Sequence, residues 1–139
     1  MKRVYFILAT MLTIWACSTQ KSTVKVESNE EESMEADSIE YSMETFDSRF
    51  EAWYKIHNKP AMYRTQDYYE YWNKQYVNAW NHNSRSGPNR SFFEPIVGYD
   101  ERTDYGLELN HKLFYYFQYV ENVLKIKILP GWSPKAVPF

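Results

Sequence analysis

Four carboxylates lie close together in the sequence and could do acid–base chemistry: Glu94, Asp100, Glu101 and Asp104. Two carboxyl groups held about 5–10 Å apart across a sugar can hydrolyse a glycosidic bond, and carboxylate oxygens can also bind Ca²⁺. The run DERTD does not match an EF-hand loop, Asp104 is better placed as a helix cap, and Arg102 could pair with its acidic neighbours. A small periplasmic hydrolase that uses Glu94, Asp100 or Glu101 is therefore the alternative hypothesis, and it requires a pocket where two carboxylates converge.

The other reactive residues do not form a catalytic or metal-binding signature. His57, His82 and His111 are too scattered for a pattern such as His-Glu-x-x-His, and His57 continues an apolar helical stripe. No Gly-x-Ser-x-Gly and no glycine-rich phosphate loop occurs in the chain. We therefore predict no metal, no cofactor and no catalytic residue, and a non-enzymatic protein is favoured.

Tyrosines outside the predicted core offer a different chemistry. Four of them lie off the apolar helical stripes: Tyr68, Tyr71, Tyr115 and Tyr119. An exposed tyrosine can stack on a sugar ring or anchor a protein partner, because it offers a large rigid area with a polar tip. The competing interpretation is that these rings lie half-buried with their hydroxyl groups in water. The leading hypothesis is a binding module for an envelope protein, peptidoglycan or another glycan.

The first residues are typical of a secretory signal. Lys2 and Arg3 precede an apolar run from Val4 to Ala16, which is too short to cross a bilayer comfortably, since a spanning helix needs about 20 apolar residues. A basic start, a short apolar run and a small residue before the cut describe a signal peptide over residues 1–16. Cys17, the only cysteine of the chain, follows at once.

The stretch IWAC at residues 14–17 resembles the lipobox of bacterial lipoproteins, although Trp15 departs from the usual small or β-branched residue. The resemblance implies a mature chain that begins at Cys17 and carries diacylglycerol and a further acyl chain such as palmitate. Several acyl chains together hold a protein on a bilayer. A plain signal peptide and an uncleaved anchor helix remain the alternatives. By analogy with lipoprotein sorting, Ser18 points to the outer membrane, with the domain facing the periplasm.

Residues 17–38 are predicted to be a lipidated cysteine followed by a disordered acidic tether. The segment has no aromatic residue and few branched apolar ones, so it cannot bury enough surface to offset its ordering entropy. Residues 39–139 carry equal numbers of acidic and basic side chains, which argues against nucleic acid as a partner. The acidic residues of the tether are Glu27, Glu30, Glu31, Glu32, Glu35 and Asp37.

Residues 39–139 are predicted to form one aromatic-rich domain. The alternation in IEYSME (39–44) predicts a strand, and Ser48 with Glu51 predicts a capping box at the start of the first helix. Lys59-Pro60 ends that helix, because the residue before proline avoids the α region. Thr65 is the predicted cap of a second helix, which ends in the segment 81–89. The inward stripe of this helix is Tyr69, Trp72, Tyr76, Ala79 and Trp80.

The last third of the chain adds a third helix. Asp104 is its predicted cap and Leu124 its approximate end. The segments 92–100 and 124–132 look extended and could supply one or two further short strands, while Trp132 and Phe139 could hold the tail. The prediction is an α+β domain, mainly helical, with about three helices and two or three short strands. Without another cysteine, packing alone must hold it.

Three aromatic segments carry a second resemblance: FDSRFEAWY, YYEYWNKQYVNAWN and YDERTDYGLELNHKLFYYFQYV. They are similar to a family of small lipoproteins from Bacteroidota with a domain of unknown function, over about residues 39–125. The most specific pieces are WN at 80–81 and DYGLELN at 104–110. The resemblance implies a single envelope domain and assigns no activity, so it identifies no catalytic residue.

Overall fold

The computed structural model describes residues 23–29, 40–96 and 98–135. The predicted signal peptide, Cys17 and most of the predicted tether lie outside these residues. The described part contains three α-helices and a two-stranded antiparallel sheet, which confirms the predicted α+β class. No helix within it has the length and apolar character that a membrane crossing requires. The elements are β1 (Val24–Asn29), β2 (Glu40–Thr45), α1 (Ser48–His57), a 3-10 turn (Ala61–Tyr63), α2 (Gln66–Arg85) and α3 (Gly106–Asn122).

The two strands form a hairpin in which Val24 lies opposite Thr45 and Val26 opposite Met43. The prediction of a disordered tether is therefore wrong over Val24–Asn29. Val24, Val26 and Met43 are buried, because they share the face of the sheet that packs on the helices. Gly98 lies directly against β1 from outside the sheet. Its φ is +87°, and a Cβ there would collide with the Val26 carbonyl oxygen, so this close approach requires glycine.

Helix α1 begins one residue away from the predicted cap arrangement. The side chain of Asp47, not that of Ser48, caps the helix by accepting from the backbone N–H groups of Arg49 (3.0 Å) and Phe50 (3.3 Å). The predicted capping-box partner Glu51 instead accepts from the Thr45 hydroxyl at 3.1 Å. Asp47 is the cap rather than Ser48 because its carboxylate accepts from the N–H groups of both Arg49 and Phe50. Its negative charge also faces the positive end of the helix dipole.

Helix α2 confirms the sequence prediction closely. The Thr65 hydroxyl accepts from the backbone N–H of Tyr68 at 3.3 Å, as expected of a cap. Tyr69, Tyr76 and Trp80 are buried, whereas Trp72 and Ala79 at the edge of the stripe are half-buried. Gly87 and Pro88 follow the end of the helix in a turn.

Helix α3 is the centre of the domain. Its two neighbours α1 and α2 and the strand β2 pack around it, so side chains are buried on nearly all of its faces. Tyr105 occupies the cap position without a side-chain cap, while the predicted cap Asp104 accepts from the Gly106 N–H at 2.9 Å. The segments 92–100 and 124–132 form no further strand among the described residues. The residue Lys125 has a positive φ of 59°, which breaks the extended course that the alternation predicted.

The loop between α2 and α3 is held by residues from the two most specific pieces of the family resemblance. The Trp80 indole N–H donates to the Glu94 carbonyl at 2.5 Å, and the Asn81 side chain accepts from the Ile96 N–H at 3.0 Å. The Tyr105 hydroxyl donates to the Gly98 carbonyl at 2.7 Å and accepts from the backbone N–H of Asp100. These side chains satisfy the polar backbone of a long loop, as burial requires.

Candidate functional site

The four tyrosines proposed as a binding surface do not form one. Tyr115 and Tyr119 are 1% and 2% exposed, so the prediction is wrong for both. They lie on the side of α3 that was predicted to face solvent. This side is covered by α1 and by the 3-10 turn after α1. The Lys59 N–H, for example, donates to the Tyr115 hydroxyl at 3.0 Å. Tyr68 is half-buried, and Tyr71 is 58% exposed.

Tyr71 instead belongs to an exposed cluster that we call the aromatic face: Tyr71, Trp72 and Trp132. The Tyr71 and Trp72 ring centroids are 5.2 Å apart at 82°, and those of Trp72 and Trp132 are 5.5 Å apart at 59°. Trp132 is 74% exposed. Helical spacing predicts Trp72 in the core, and Trp132 was expected to anchor the tail, so two of the three rings were not predicted on this surface. A contact between residues 60 positions apart leaves no local signal.

The C-terminal segment, residues 125–135, places Trp132 on α2. The Asn83 side chain donates to the Ile128 carbonyl at 3.0 Å, which fixes this segment near the end of α2. The Glu121 carboxylate accepts from the backbone N–H groups of Ile128 and Leu129 at 2.9 and 3.0 Å, which ties the segment to α3. Through these bonds the segment lies along α2, and its tryptophan reaches Trp72.

Uncharged polar side chains continue the aromatic face along α2. Gln75, Asn78 and His82 are exposed and follow Tyr71 at intervals of three and four residues, which places them on one stripe of the helix. Each can form hydrogen bonds with a ligand. An exposed helical stripe in a small domain usually carries charges of both signs. Here the stacking groups and the neutral hydrogen-bonding groups lie between the exposed Asp67, four residues before Tyr71, and the exposed Arg85, three residues after His82, with Lys74 half-buried beside them.

A cleft of about 580 Å³ opens next to the start of α2. The Arg64 guanidinium carbon lies 5.1 Å from the ring centroid of Tyr63 and 5.3 Å from that of Tyr68, both within the range of a cation–π contact. Burial raises the pKa of Tyr68, and the charge of Arg64 partly opposes this rise. The cleft is lined by Tyr63, Arg64, Thr65, Gln66, Tyr68 and Leu107.

A second cleft of about 550 Å³ lies at the opposite end of α2, between the turn after that helix and the C-terminal segment. Its wall is mostly apolar and includes Phe93, Ile128 and Pro130, while His82 and Asn83 supply polar groups. His82 also belongs to the exposed stripe. The two clefts thus lie near the two ends of α2, the helix that carries Tyr71 and Trp72.

The four carboxylates of the hydrolase hypothesis serve separate local roles. Glu94 accepts from the Thr23 hydroxyl at 2.8 Å, and Asp100 accepts from the Arg102 N–H at 2.9 Å. Glu101 is exposed, and Asp104 accepts from the Gln66 amide at 2.6 Å. None of these bonds joins two of the four carboxylates. The described residues therefore give the hydrolase hypothesis no support.

The histidines are also dispersed. His57 stacks on Trp53 with ring centroids 4.8 Å apart at 14°, and His82 lies exposed on α2. No group of three histidine, cysteine or acidic side chains within the described ranges is placed to hold a metal ion. His111 differs from the other two because it is 1% exposed.

A buried hydrogen bond joins Nδ1 of His111 to the hydroxyl of Tyr54, at 2.8 Å. Burial lowers the pKa of His111, and Glu108 and the backbone of Lys59 oppose this shift only in part. The lowered pKa favours the neutral imidazole. Its Nε2 atom and the Asn73 side-chain oxygen have no hydrogen-bond partner in the described part of the chain. We interpret His111 as a polar member of the core between α1, α2 and α3.

The described residues form a small α+β domain with exposed aromatic rings on α2 and on the C-terminal segment. The chain belongs to a family of unknown function, DUF6146, whose model matches residues 5–133. This confirms that the domain is one of unknown function, as the sequence resemblance implied. A comparison with curated proteins and a comparison with solved structures each found no significant match.

Proposed function

We propose that the protein is a non-enzymatic envelope lipoprotein whose domain binds a glycan through the aromatic face. The observation that carries this proposal is the exposure of two large rings in one cluster, Tyr71 at 58% and Trp132 at 74%. Large exposed rings leave apolar area in water, which binding would remove. Tyrosine and tryptophan are also the residues that most often dominate binding energy at interfaces.

The surroundings of the face favour a glycan over a protein partner. A sugar presents apolar C–H faces together with many hydroxyl groups, so it needs stacking rings and neutral hydrogen-bonding side chains side by side. The rings of Tyr71 and Trp132 supply the first, and the stripe of Gln75 and Asn78 supplies the second. A protein-binding centre would more often be an apolar pocket enclosed by a polar rim.

The ring cluster is also held ready for a ligand. Trp72 is half-buried and contacts both outer rings, and Trp132 is carried by a segment that Glu121 and Asn83 bind to the helices. A face that is formed before binding loses little conformational entropy when the ligand arrives. This favours useful affinity from a small number of rings.

The membrane anchor in this proposal is lipid on Cys17, supported by the basic start, the apolar run and the lipobox-like IWAC. Because β1 begins at Val24, only residues 18–23 would separate the anchor from the domain. Six residues span at most about 20 Å. The domain would therefore lie close to the membrane, and by the sorting analogy this is the periplasmic face of the outer membrane.

The anchor is tested by the mass of the N-terminal peptide of the protein purified from its native membrane. We expect a peptide that begins at Cys17 and carries diacylglycerol and an acyl chain. Cys17→Ala should move the protein from the membrane fraction to the soluble fraction. A free thiol on the native protein, or the retention of residues 1–16, would contradict the anchor and leave the binding proposal to be tested separately.

Glycan binding is tested by screening the full chain against an array of oligosaccharides and peptidoglycan fragments, followed by calorimetry on the best ligand. We expect Tyr71→Ala and Trp132→Ala each to weaken binding about tenfold, since a lost stacking ring costs about 1–2 kcal/mol. Both side chains are largely exposed, so the fold should persist.

Phe46→Ala is the matched control, because Phe46 is an aromatic residue of similar exposure, 68%, at the end of β2 and outside the face. Its affinity for the glycan should equal that of the unchanged protein. Equal losses in all three variants, or no glycan bound by the unchanged protein, would refute this function. If the protein instead captures a protein partner, and Tyr71→Ala abolishes that capture, the ligand of the face would be a protein rather than a glycan.

A further inference from the structure

The Arg64 cleft lies at one end of the aromatic face and connects to it through α2. Tyr68, which lines the cleft, precedes Tyr71 by three residues and Trp72 by four, so the three residues lie on one side of α2, while the Tyr68 ring itself packs on Tyr69 and Phe114. Four residues of helix advance by about 6 Å. A ligand stacked on the aromatic face could therefore extend over Tyr68 into the cleft.

We infer that Arg64 binds the carboxylate of an acidic sugar, so that the protein selects acidic glycans, an inference that rests on the glycan binding proposed above. The guanidinium is planar and presents paired N–H donors that match a carboxylate in a bidentate arrangement. The adjacent Tyr63 and Tyr68 rings can stack on the sugar that carries the carboxylate. The cleft thus combines one anion-binding group with the same stacking chemistry as the face.

Charge around the cleft supports an anionic ligand. Arg64 is the single charged residue among those that line it. The ion pairs among the described residues involve Arg49, Lys112 and Lys127, so Arg64 has no carboxylate within 4.0 Å in this part of the chain. Lys135 lines a small cavity together with Arg64, which adds a second cation at this end of the surface.

The two tyrosine rings also hold the guanidinium in place. Their centroids lie 5.1 and 5.3 Å from its central carbon, which limits the positions that the long arginine side chain adopts. Two carboxylates near the start of α2 accept from the Gln66 amide: Glu70 at 2.8 Å and Asp104 at 2.6 Å. Among the described residues Arg64 is therefore a cation held against two rings without a carboxylate partner, which is the arrangement that favours an external carboxylate.

The experiment compares two oligosaccharides of equal length and linkage, a tetramer of glucose and a tetramer of glucuronate, on the full chain by calorimetry. We expect the acidic tetramer to bind about tenfold more tightly than the neutral one, because hydrogen bonds to a charged group are stronger than neutral ones. Arg64→Gln should abolish this preference while the affinity for the neutral tetramer stays within about twofold. Added salt should weaken the binding of the acidic tetramer and leave the binding of the neutral tetramer unchanged.

The control is Arg90→Gln, which removes the same charge from an exposed position in the turn beyond the far end of α2. It should leave the preference unchanged. Equal affinity for the two tetramers, unaffected by Arg64→Gln, would overturn this inference while glycan binding stands. An equal loss of preference in Arg90→Gln would also overturn it, because the effect would then come from overall charge. If neither tetramer nor any glycan of the array binds, the proposed function itself fails.

Discussion

Trp80→Ala is expected to lower the free energy of unfolding by about 4 kcal/mol, which is a large part of the stability of a domain of this size. Trp80 has no exposed area and contacts the rings of Phe93, Tyr116 and Phe117, with centroids 4.8–5.9 Å away. Alanine would leave a cavity between α2, α3 and the loop. It would also remove the donor to the Glu94 carbonyl. Urea unfolding followed by circular dichroism measures the change.

Trp132→Ala is the matched comparison, because it deletes the same side chain from a position that is 74% exposed. We expect its unfolding free energy to fall by less than about 1 kcal/mol, since little buried area is lost. The loss of unfolding free energy in Trp80→Phe should lie between those of Trp80→Ala and Trp132→Ala, because phenylalanine keeps a ring but not the N–H donor. If Trp80→Ala were no more costly than Trp132→Ala, the assignment of Trp80 to the core would be wrong.

The contrast between these two tryptophans shows what local periodicity could predict. Tyr69, Tyr76 and Trp80 repeat at helical spacing, so the sequence was enough to place them on the buried face of α2. The strand β2 and the Thr65 cap were predictable for the same reason, because their signals lie within a few residues. Trp132 has no such periodicity around it, and its place on Trp72 depends on the course of the whole C-terminal segment.

The strand β1 was missed because composition was given more weight than alternation. Residues 18–38 are rich in serine and glutamate, which favours disorder on average. Val24 and Val26 nevertheless alternate with polar residues, and pairing with β2 buries both. Two valines are a weak signal by themselves, and the partner strand supplies the rest of the stabilisation.

Tyr115 and Tyr119 were misplaced because a single inward stripe was assumed for α3. An amphipathic helix on the surface of a domain has one such stripe, but a central helix is contacted from several sides. Here α1, α2 and β2 all pack against α3, so tyrosines at spacings outside the predicted stripe are buried as well. Among these four tyrosines only Tyr71, on the outer side of α2, has more than half of its area exposed.

The residues of the two motifs and those of the aromatic face are separate sets in this domain. Trp80, Asn81 and Tyr105 belong to the most specific pieces of the family resemblance, and they bind the loop between α2 and α3. None of them belongs to the aromatic face. These side chains stabilise the fold, and the glycan-binding face proposed above lies outside both motifs.

Glu121→Ala is expected to release the C-terminal segment and thereby to weaken glycan binding, although none of the three residues of the aromatic face is substituted. The carboxylate is 6% exposed and accepts from the N–H groups of Ile128 and Leu129, and from the Tyr76 hydroxyl at 3.1 Å. Alanine leaves three donors without their acceptor, which should cost about 3 kcal/mol. Hydrogen exchange should show that the amides of Ile128 and Leu129 lose protection before the amides of α3 do.

The link to binding is that Trp132 lies only a few residues beyond Leu129 on the same segment. Once the segment detaches from α3, the ring of Trp132 spends less time on Trp72, and the affinity for the glycan should fall about as far as in Trp132→Ala. Glu121→Gln is the matched control, because the amide keeps one acceptor oxygen for the two N–H groups and should retain most of the protection and affinity. If Glu121→Ala accelerated exchange uniformly through α2 and α3, the carboxylate would stabilise the whole core rather than the segment. If exchange increased at Ile128 and Leu129 while glycan affinity stayed unchanged, Trp132 would not be part of the binding face.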